Sequence, residues 1–187
     1  MRVIGFCGLP GSGKSTAIEA IKDLGIVITM GDVIRNEARK RGLEPTDENL
    51  GRIAKEIREN GGPEIVAEKC VELIQEQTVD LIIIDGLRSM AEVAVFRRSW
   101  KFPIIATVLK EEERFKRLAL RGRSDDPKFM EDLKIRDHRE IQFGLQEVIE
   151  NADYYLSTEP SIETFIKQTR DLVDEILQDY EKDLKLK

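Results

Sequence analysis

Cysteine, histidine and aromatic residues are scarce in this 187-residue sequence, with two cysteines, one histidine and 6% aromatics. Two cysteines are too few for a disulfide framework, and Cys7 and Cys70 lack the CxxC spacing of a zinc site. No apolar run approaches the about 18 residues of a membrane span. The N-terminus also lacks the long apolar segment of a signal peptide. We therefore expect a cytoplasmic protein without a membrane-spanning segment.

A basic excess is also missing. The 30 Lys and Arg residues are outnumbered by 36 Asp and Glu residues, which gives a formal net charge of −6. Proteins that bind nucleic acid broadly usually carry a basic excess, so we do not expect such binding. A local basic site for a small anion is compatible with this balance. The length fits one domain of about 100–200 residues, and we predict a single domain over residues 1–187.

Short apolar runs alternate with longer segments of helical periodicity. Strands are predicted at residues 3–7, 26–29, 79–85, 103–109 and 154–157, and helices at 14–24, 112–121, 133–151 and 162–182. The runs at 81–84 and 104–108 are continuously apolar, which is typical of parallel strands buried on both faces. Alternation of this kind predicts an α/β fold. Residues 30–78 interrupt it as a helical insertion, within which Thr46 marks a helix start.

A glycine-rich segment follows the first predicted strand and precedes a helical pattern. The pattern G-x-x-x-x-G-K-S/T is matched by Gly8, Leu9, Pro10, Gly11, Ser12, Gly13, Lys14, Ser15 and Thr16. Glycines let backbone N–H groups turn inward around phosphate oxygens, and the following helix adds its positive end. We expect Lys14 to reach the β- and γ-phosphates of ATP and the Ser15 hydroxyl to bind Mg²⁺.

Asp85 ends the apolar run 81–84. A carboxylate at the end of such a strand, in a protein with a phosphate-binding loop, is the expected second magnesium-binding residue. We therefore predict Mg²⁺ with ATP, held by Ser15 and Asp85.

Two further segments resemble adenylate kinases. Gly31-Asp32 with Arg35 is similar to the segment that opens their monophosphate-binding region, and Asp85-Gly86 with Arg88 is similar to a second acceptor-binding segment, although the usual proline before the arginine is missing. The motifs occur in the same order over nearly the whole chain, most like a set of archaeal adenylate kinase-related P-loop proteins. The resemblance implies a three-layer αβα fold with a five-stranded parallel sheet of order 2-3-1-4-5. It also implies that residues 30–78 bind the acceptor.

The same resemblance assigns residues 121–139 to a short lid and its following helix. Arg123 would close over the ATP phosphates and act in catalysis with Arg136, while Arg139 would bind the acceptor. Arg136 and Arg139 are three residues apart and share a helix face. Arg121 belongs to the same basic group.

The C-terminal part is also similar to dephospho-CoA kinases, through Glu147, Asp153 and the segment from Ser161. This second resemblance leaves two roles open for Asp32. With a phosphate acceptor it would cap a helix starting near Val33 or orient Arg35. With a hydroxyl acceptor it would be the general base. Arg88 favours the monophosphate acceptor, because dephospho-CoA kinases usually lack an arginine there.

Three functional hypotheses follow from these residues. The first is an ATP- and Mg²⁺-dependent phosphotransferase for a small adenine-containing acceptor, either a nucleoside monophosphate or dephospho-CoA. The second is a nucleotide-dependent ATPase switch that acts on a protein or RNA partner. The third is a nucleotide sensor with little turnover, which intact Lys14, Ser15 and Asp85 disfavour.

Overall fold

The structure is a computed structural model, and it describes residues 1–123, 126–158 and 161–185. Its strands are β1 (Arg2–Cys7), β2 (Ile26–Thr29), β3 (Leu81–Asp85), β4 (Ile104–Val108) and β5 (Tyr154–Ser157). They pair in parallel as one five-stranded sheet of order β2-β3-β1-β4-β5. The predicted parallel sheet and its strand order are confirmed.

Helices cover both faces of this sheet. They are α1 (Lys14–Ile21), α2 (Met30–Lys40), α3 (Asp47–Gly61), α4 (Ile65–Gln75), α5 (Met90–Arg97), α6 (Glu111–Arg121), α7 (Met130–Gln142), α8 (Leu145–Glu150) and α9 (Ile162–Lys185). Within the described ranges, no helix combines the length and apolar composition that crossing a membrane requires.

The core consists of two apolar clusters, one on each face of the sheet. Alternate residues of β3 point to opposite faces, so Ile82 and Ile84 join one cluster and Leu81 and Ile83 the other. The first cluster packs the sheet against α2–α5 and α8, and the second packs it against α1 and α9. Burial on both faces explains why β3 is continuously apolar in sequence.

Both cysteines lie in the first of these clusters. Cys7 ends β1 and Cys70 lies on α4, and both side chains are fully buried. Burial raises the pKa of each thiol to about 12. The two cysteines therefore serve in packing.

Residues 30–78 are all described, and they form α2, α3 and α4 with no strand between them. The predicted helix start at Thr46 is confirmed, because its Oγ1 accepts a hydrogen bond from Asn49 N at 3.3 Å. The predicted start near Val33 is wrong. Helix α2 begins at Met30, so Asp32 lies in the first turn and does not cap it.

The single helix predicted over residues 133–151 is interrupted. Helix α7 ends at Gln142 and α8 begins at Leu145. Between them Gly144 has φ 104°, a left-handed conformation that glycine adopts readily. Apolar periodicity continued on both sides of this glycine and concealed the break. Of the predicted lid, residues 124 and 125 lie outside the described residues.

The C-terminal ends of β1 and β3 deliver the glycine-rich loop and Asp85 to the same edge of the sheet. Ligands of open α/β sheets bind outside this edge.

Candidate functional site

The loop between β1 and α1 has the backbone conformation of a phosphate-binding loop. Gly8, Gly11 and Gly13 all have positive φ, at 146°, 79° and 98°. At Gly13 a Cβ atom would lie 2.5 Å from Thr158 Cγ2. A side chain there would clash with Thr158 and would also be strained by the positive φ. The glycines therefore satisfy a local requirement of this turn.

Side chains from distant elements hold the loop in place. Ser12 Oγ is hydrogen-bonded to Thr107 Oγ1 at 2.7 Å, and Thr158 Oγ1 donates to Ser12 O at 3.1 Å. Arg114 on α6 donates to Pro10 O at 3.1 Å. The loop is thus fixed to β4, to α6 and to the residue that follows β5. Such fixation keeps its N–H groups in position before a ligand arrives.

Lys14 and Asp85 meet at the mouth of the loop. Lys14 Nζ lies 2.9 Å from Asp85 Oδ1. That oxygen is buried and, despite this ion pair, has no hydrogen bond of good geometry among the described residues. Ser15, next to Lys14, is exposed. A hydroxyl and one carboxylate fit Mg²⁺, because this ion takes oxygen ligands and usually keeps several waters and phosphate oxygens. The residues present therefore fit the predicted ion.

A cavity of about 520 Å³ opens in front of the loop. The predicted site residues that line it are Gly8–Thr16, Gly31, Arg35, Asp85, Gly86, Arg88, Arg123 and Arg136. Thr29, Arg117, Arg121 and Glu140 line it as well. The cavity therefore brings together cations from α2, from the segment after β3, from α6 and from α7.

Asp32 and Arg139 are not among the lining residues of this cavity. Asp32 instead accepts hydrogen bonds from its neighbour Arg35, with Nε–Oδ1 at 2.8 Å and NH2–Oδ1 at 2.7 Å. Arg139 donates twice to Asp47 at the start of α3, at 2.8 and 2.7 Å. Arg136 Nε is 3.6 Å from the same carboxylate. The predicted shared face of Arg136 and Arg139 is thus directed at the first turn of α3.

Carboxylates also hold the remaining predicted arginines. Arg88 Nε donates to Glu140 on α7, and the Arg88 backbone N–H donates to Glu92 at 2.7 Å. In the lid segment, Asp126 accepts from Arg121 Nε at 2.9 Å and from the Arg123 backbone N–H at 2.9 Å. The side chains of Arg88 and Arg121 are therefore held by carboxylates, whereas at Arg123 the contact fixes the backbone.

These pairs keep their groups charged. The Glu140 carboxylate raises the pKa of Arg88 despite burial of the guanidinium. Burial alone would raise the pKa of Glu140, but the Arg88 charge and hydrogen bond hold it below its ordinary value. Burial and Arg139 oppose each other in the same way at Asp47, whose pKa is also lowered. The site therefore contains fixed ion pairs at neutral pH.

Sequence reasoning missed several residues of this site. Arg117 NH2 donates to Thr158 O at 2.6 Å beside the glycine-rich loop. Apolar side chains also line the cavity, namely those of Leu118, Leu120, Leu145, Ile162 and Phe165. Leu118 and Leu120 lie on α6 with Arg117, and Ile162 and Phe165 lie on α9, whereas Leu145 packs on the opposite face of the sheet from Phe165. Ile162 and Leu120 are 59% and 88% exposed, so their apolar surface is open to a bound molecule. No motif marks these residues, and only their exposure and their position at the cavity in the folded chain identify them.

Comparisons with known proteins agree with this fold. The family model described as an AAA domain matches residues 7–134. A UPF0200 protein of Methanosarcina mazei is 42% identical, over 97% of this chain and 100% of the relative. A UPF0200/UPF0201 protein of Archaeoglobus fulgidus is also 42% identical, over 100% of this chain. The chain spans only 59% of the length of that relative.

Solved structures show the same architecture at low sequence identity. Shikimate kinase from Bacteroides thetaiotaomicron superposes with a TM-score of 0.63 at 16% identity, over 92% of this chain and 98% of that one. TT1252 from Thermus thermophilus gives a TM-score of 0.59 at 19% identity, over 93% and 97%. These similarities establish a P-loop kinase-like fold. With the matches over nearly its full length, the chain belongs to the UPF0200 family.

Proposed function

We propose that the chain is an ATP- and Mg²⁺-dependent phosphotransferase whose acceptor is a small adenine-containing molecule, most like a nucleoside monophosphate. One observation carries this proposal. One cavity is lined both by the phosphate-binding loop with Lys14 and by Arg35 and Arg88. Two phosphate-binding groups that share a cavity suit transfer between two phosphates better than simple nucleotide binding.

Electrostatics support the same reaction. Phosphoryl transfer depends on positioning and on positive charge around the transferred group. In the proposal, Lys14 binds the donor phosphates, Arg123 and Arg136 neutralise the transferred group, and Arg35 and Arg88 bind the acceptor. Arginine suits the last role because its fork can bind two phosphate oxygens at once. Mg²⁺ at Ser15 and Asp85 would supply further charge neutralisation when bound.

The apolar lining from α6 and α9 offers a place for the donor base. Leu120, Ile162 and Phe165 provide apolar surface, and Arg117 lies on the same helix as Leu120 and also lines the cavity. A guanidinium stacks favourably on an aromatic base. Residues 30–78 would then be the acceptor-binding insertion, and residues 121–139 the short lid and its following helix. Closure of a lid excludes water and limits hydrolysis of ATP.

The placement of Asp32 favours a phosphate acceptor over the hydroxyl of dephospho-CoA. A hydroxyl acceptor needs a base within reach of its proton. Asp32 is instead bound to Arg35 and does not line the cavity. Its role in the proposal is to orient Arg35 toward the acceptor.

The test is to incubate the protein with ATP and Mg²⁺ and, separately, with AMP, other nucleoside monophosphates and dephospho-CoA, and to separate the products. We expect ADP to accumulate from AMP. Lys14→Ala should abolish transfer, whereas Lys22→Ala, at an exposed lysine just after α1, should not.

Two results would contradict the proposal. CoA formed from dephospho-CoA, with loss of turnover in Asp32→Asn, would make the acceptor a hydroxyl and Asp32 the base. ATP consumption that no acceptor accelerates would favour the ATPase switch with a protein or RNA partner.

A further inference from the structure

Glu140 is a carboxylate in a cavity otherwise dominated by cations. Its residue is 6% exposed, yet it lines the cavity together with Arg88. A buried carboxylate is costly unless it is paired. Here the Arg88 Nε donates to Glu140 Oε2, and Arg139 NH2 lies 3.9 Å from Oε1. Glu140 is therefore held as an anion between two guanidinium groups.

The pairing leaves part of Arg88 available. Glu140 takes the Nε position of the guanidinium, and among the described residues the two terminal nitrogens have no hydrogen-bond partner. The backbone of Arg88 is fixed separately, since its N–H donates to the buried Glu92 at 2.7 Å. Glu92 also pairs with Arg58 of α3 at 2.7 Å. The Arg88 backbone and the Nε atom of its guanidinium are therefore both held in place. The two terminal N–H₂ groups remain available to a ligand.

Helix α7, which carries Glu140, also contacts the donor side and the insertion. Asp137 pairs with Arg114, which donates to the phosphate-loop carbonyl of Pro10. Arg139 pairs with Asp47 of α3. Because one rigid helix makes these contacts, the Glu140 carboxylate has a fixed place relative to the glycine-rich loop.

We propose that Glu140 is the positioning residue of Arg88 and sets the direction in which this arginine presents its terminal nitrogens to the acceptor phosphate. The inference rests on the proposed function, because it assigns Arg88 to the acceptor. Glu140 acts through Arg88 and need not touch the substrate. Through α7 it also links the acceptor arginine to the donor side of the cavity.

The sign of the effect distinguishes positioning from simple electrostatics. Glu140→Gln removes a negative charge from the cavity, so electrostatics alone would strengthen binding of a phosphate and lower the KM for AMP. Loss of positioning instead raises the KM for AMP and lowers kcat, so that kcat/KM for AMP falls by about tenfold or more, because Arg88 would hold the acceptor phosphate in both the bound state and the transition state. The KM for ATP should change by less than about twofold, since Lys14 and the loop are untouched.

The experiment measures steady-state transfer from ATP to AMP in wild type, Glu140→Gln, Glu140→Asp and the control Glu150→Gln. Glu150 is an exposed residue at the end of α8 that does not line the cavity and lies outside the insertion and the lid segment. Glu140→Asp keeps the charge but shortens the reach, so we expect an intermediate kcat/KM for AMP. Thermal melting of each variant identifies any loss of folding, and rates are compared only at temperatures at which the variants are folded.

Combining Glu140→Gln with Arg88→Ala completes the test. If Glu140 acts through Arg88, the second substitution changes kcat/KM for AMP by less than about twofold in the Arg88→Ala background. Independent, additive effects would overturn the inference, as would an unchanged kcat with a lower KM in Glu140→Gln. If wild type transfers phosphate to AMP and Glu140→Gln has the same kcat and KM, the role of Glu140 is refuted but the proposed function is not. A wild type that transfers phosphate to no acceptor refutes the proposed function and the inference with it.

Discussion

The buried ion pair between Arg114 and Asp137 gives a quantitative test of the structure. Arg114 donates to Asp137 through NH1 at 2.9 Å and NH2 at 2.6 Å, and the two side chains are only 5% and 12% exposed. Asp137→Ala leaves the guanidinium buried without its counter-charge. Removing one partner of such a pair costs about 3–5 kcal/mol. Because Arg114 keeps its bond to Pro10 O, we expect a loss near the lower end, about 3 kcal/mol.

Guanidinium chloride unfolding followed by far-UV circular dichroism measures this loss, with the free energy extrapolated linearly to water. The matched control is Asp23→Ala, because Asp23 also accepts two-pronged hydrogen bonds from an arginine, Arg170, at the surface. These two side chains are 58% and 38% exposed, so the control should lose less than about 1 kcal/mol.

A double replacement separates pairing from packing. Arg114→Met with Asp137→Leu removes both charges and should recover most of the stability, since apolar replacement of a buried pair is often neutral. Equal losses in Asp137→Ala and Asp23→Ala would refute the claim that burial sets the cost. So would a double variant no more stable than Asp137→Ala.

Two further predictions concern the glycine-rich loop and the contact between α7 and α3. Gly13 has φ 98°, and a Cβ atom there would lie 2.5 Å from Thr158 Cγ2. Gly13→Ala should therefore abolish the rise in melting temperature that we expect Mg²⁺ and ATP to give wild type. An undiminished rise in the variant would contradict the strained geometry. Asp47→Asn should flatten the acid limb of stability. Arg139 holds the pKa of Asp47 below its ordinary value in the folded protein. The Asp47 carboxylate therefore stabilises wild type at pH values above about 3.9, the pKa of Asp in the unfolded chain, and this stabilisation is lost as the pH falls through the folded-state pKa. When the pH is lowered from about 5 to about 3, the denaturant midpoint of unfolding should therefore fall more in wild type than in Asp47→Asn. Parallel plots of midpoint against pH for the two proteins would exclude this role for Asp47.

The sheet and the phosphate-binding loop could be predicted from sequence because both depend on local patterns. Two-sided burial makes β3 continuously apolar, and the loop needs glycine at the positions whose φ is positive. The helix break at Gly144 could not be predicted in this way. Apolar spacing continues from α7 into α8, and a glycine within a helical pattern does not by itself end it.

Apart from Asp32 beside Arg35, the carboxylate partners of the predicted arginines were beyond sequence reasoning. Asp47 is 92 residues from Arg139 and Glu140 is 52 residues from Arg88, and no motif specifies these separations. In an acidic sequence, any of many carboxylates could have been the partner. Their choice is made by helix packing, which places α3, α5 and α7 around Arg88. The arginines themselves were recognised from motif order, and their roles stay predictions.

The burial of Cys7 and Cys70 makes this chain convenient for site-directed labelling. Maleimides and disulfide reagents attack the thiolate, and a thiol with a pKa of about 12 inside the core offers almost none at neutral pH. Single cysteines introduced on the outer surfaces of α3 and α7 would therefore carry fluorophores or spin labels without removal of the native residues. Distances between such probes would report directly whether nucleotides change the separation of these two helices.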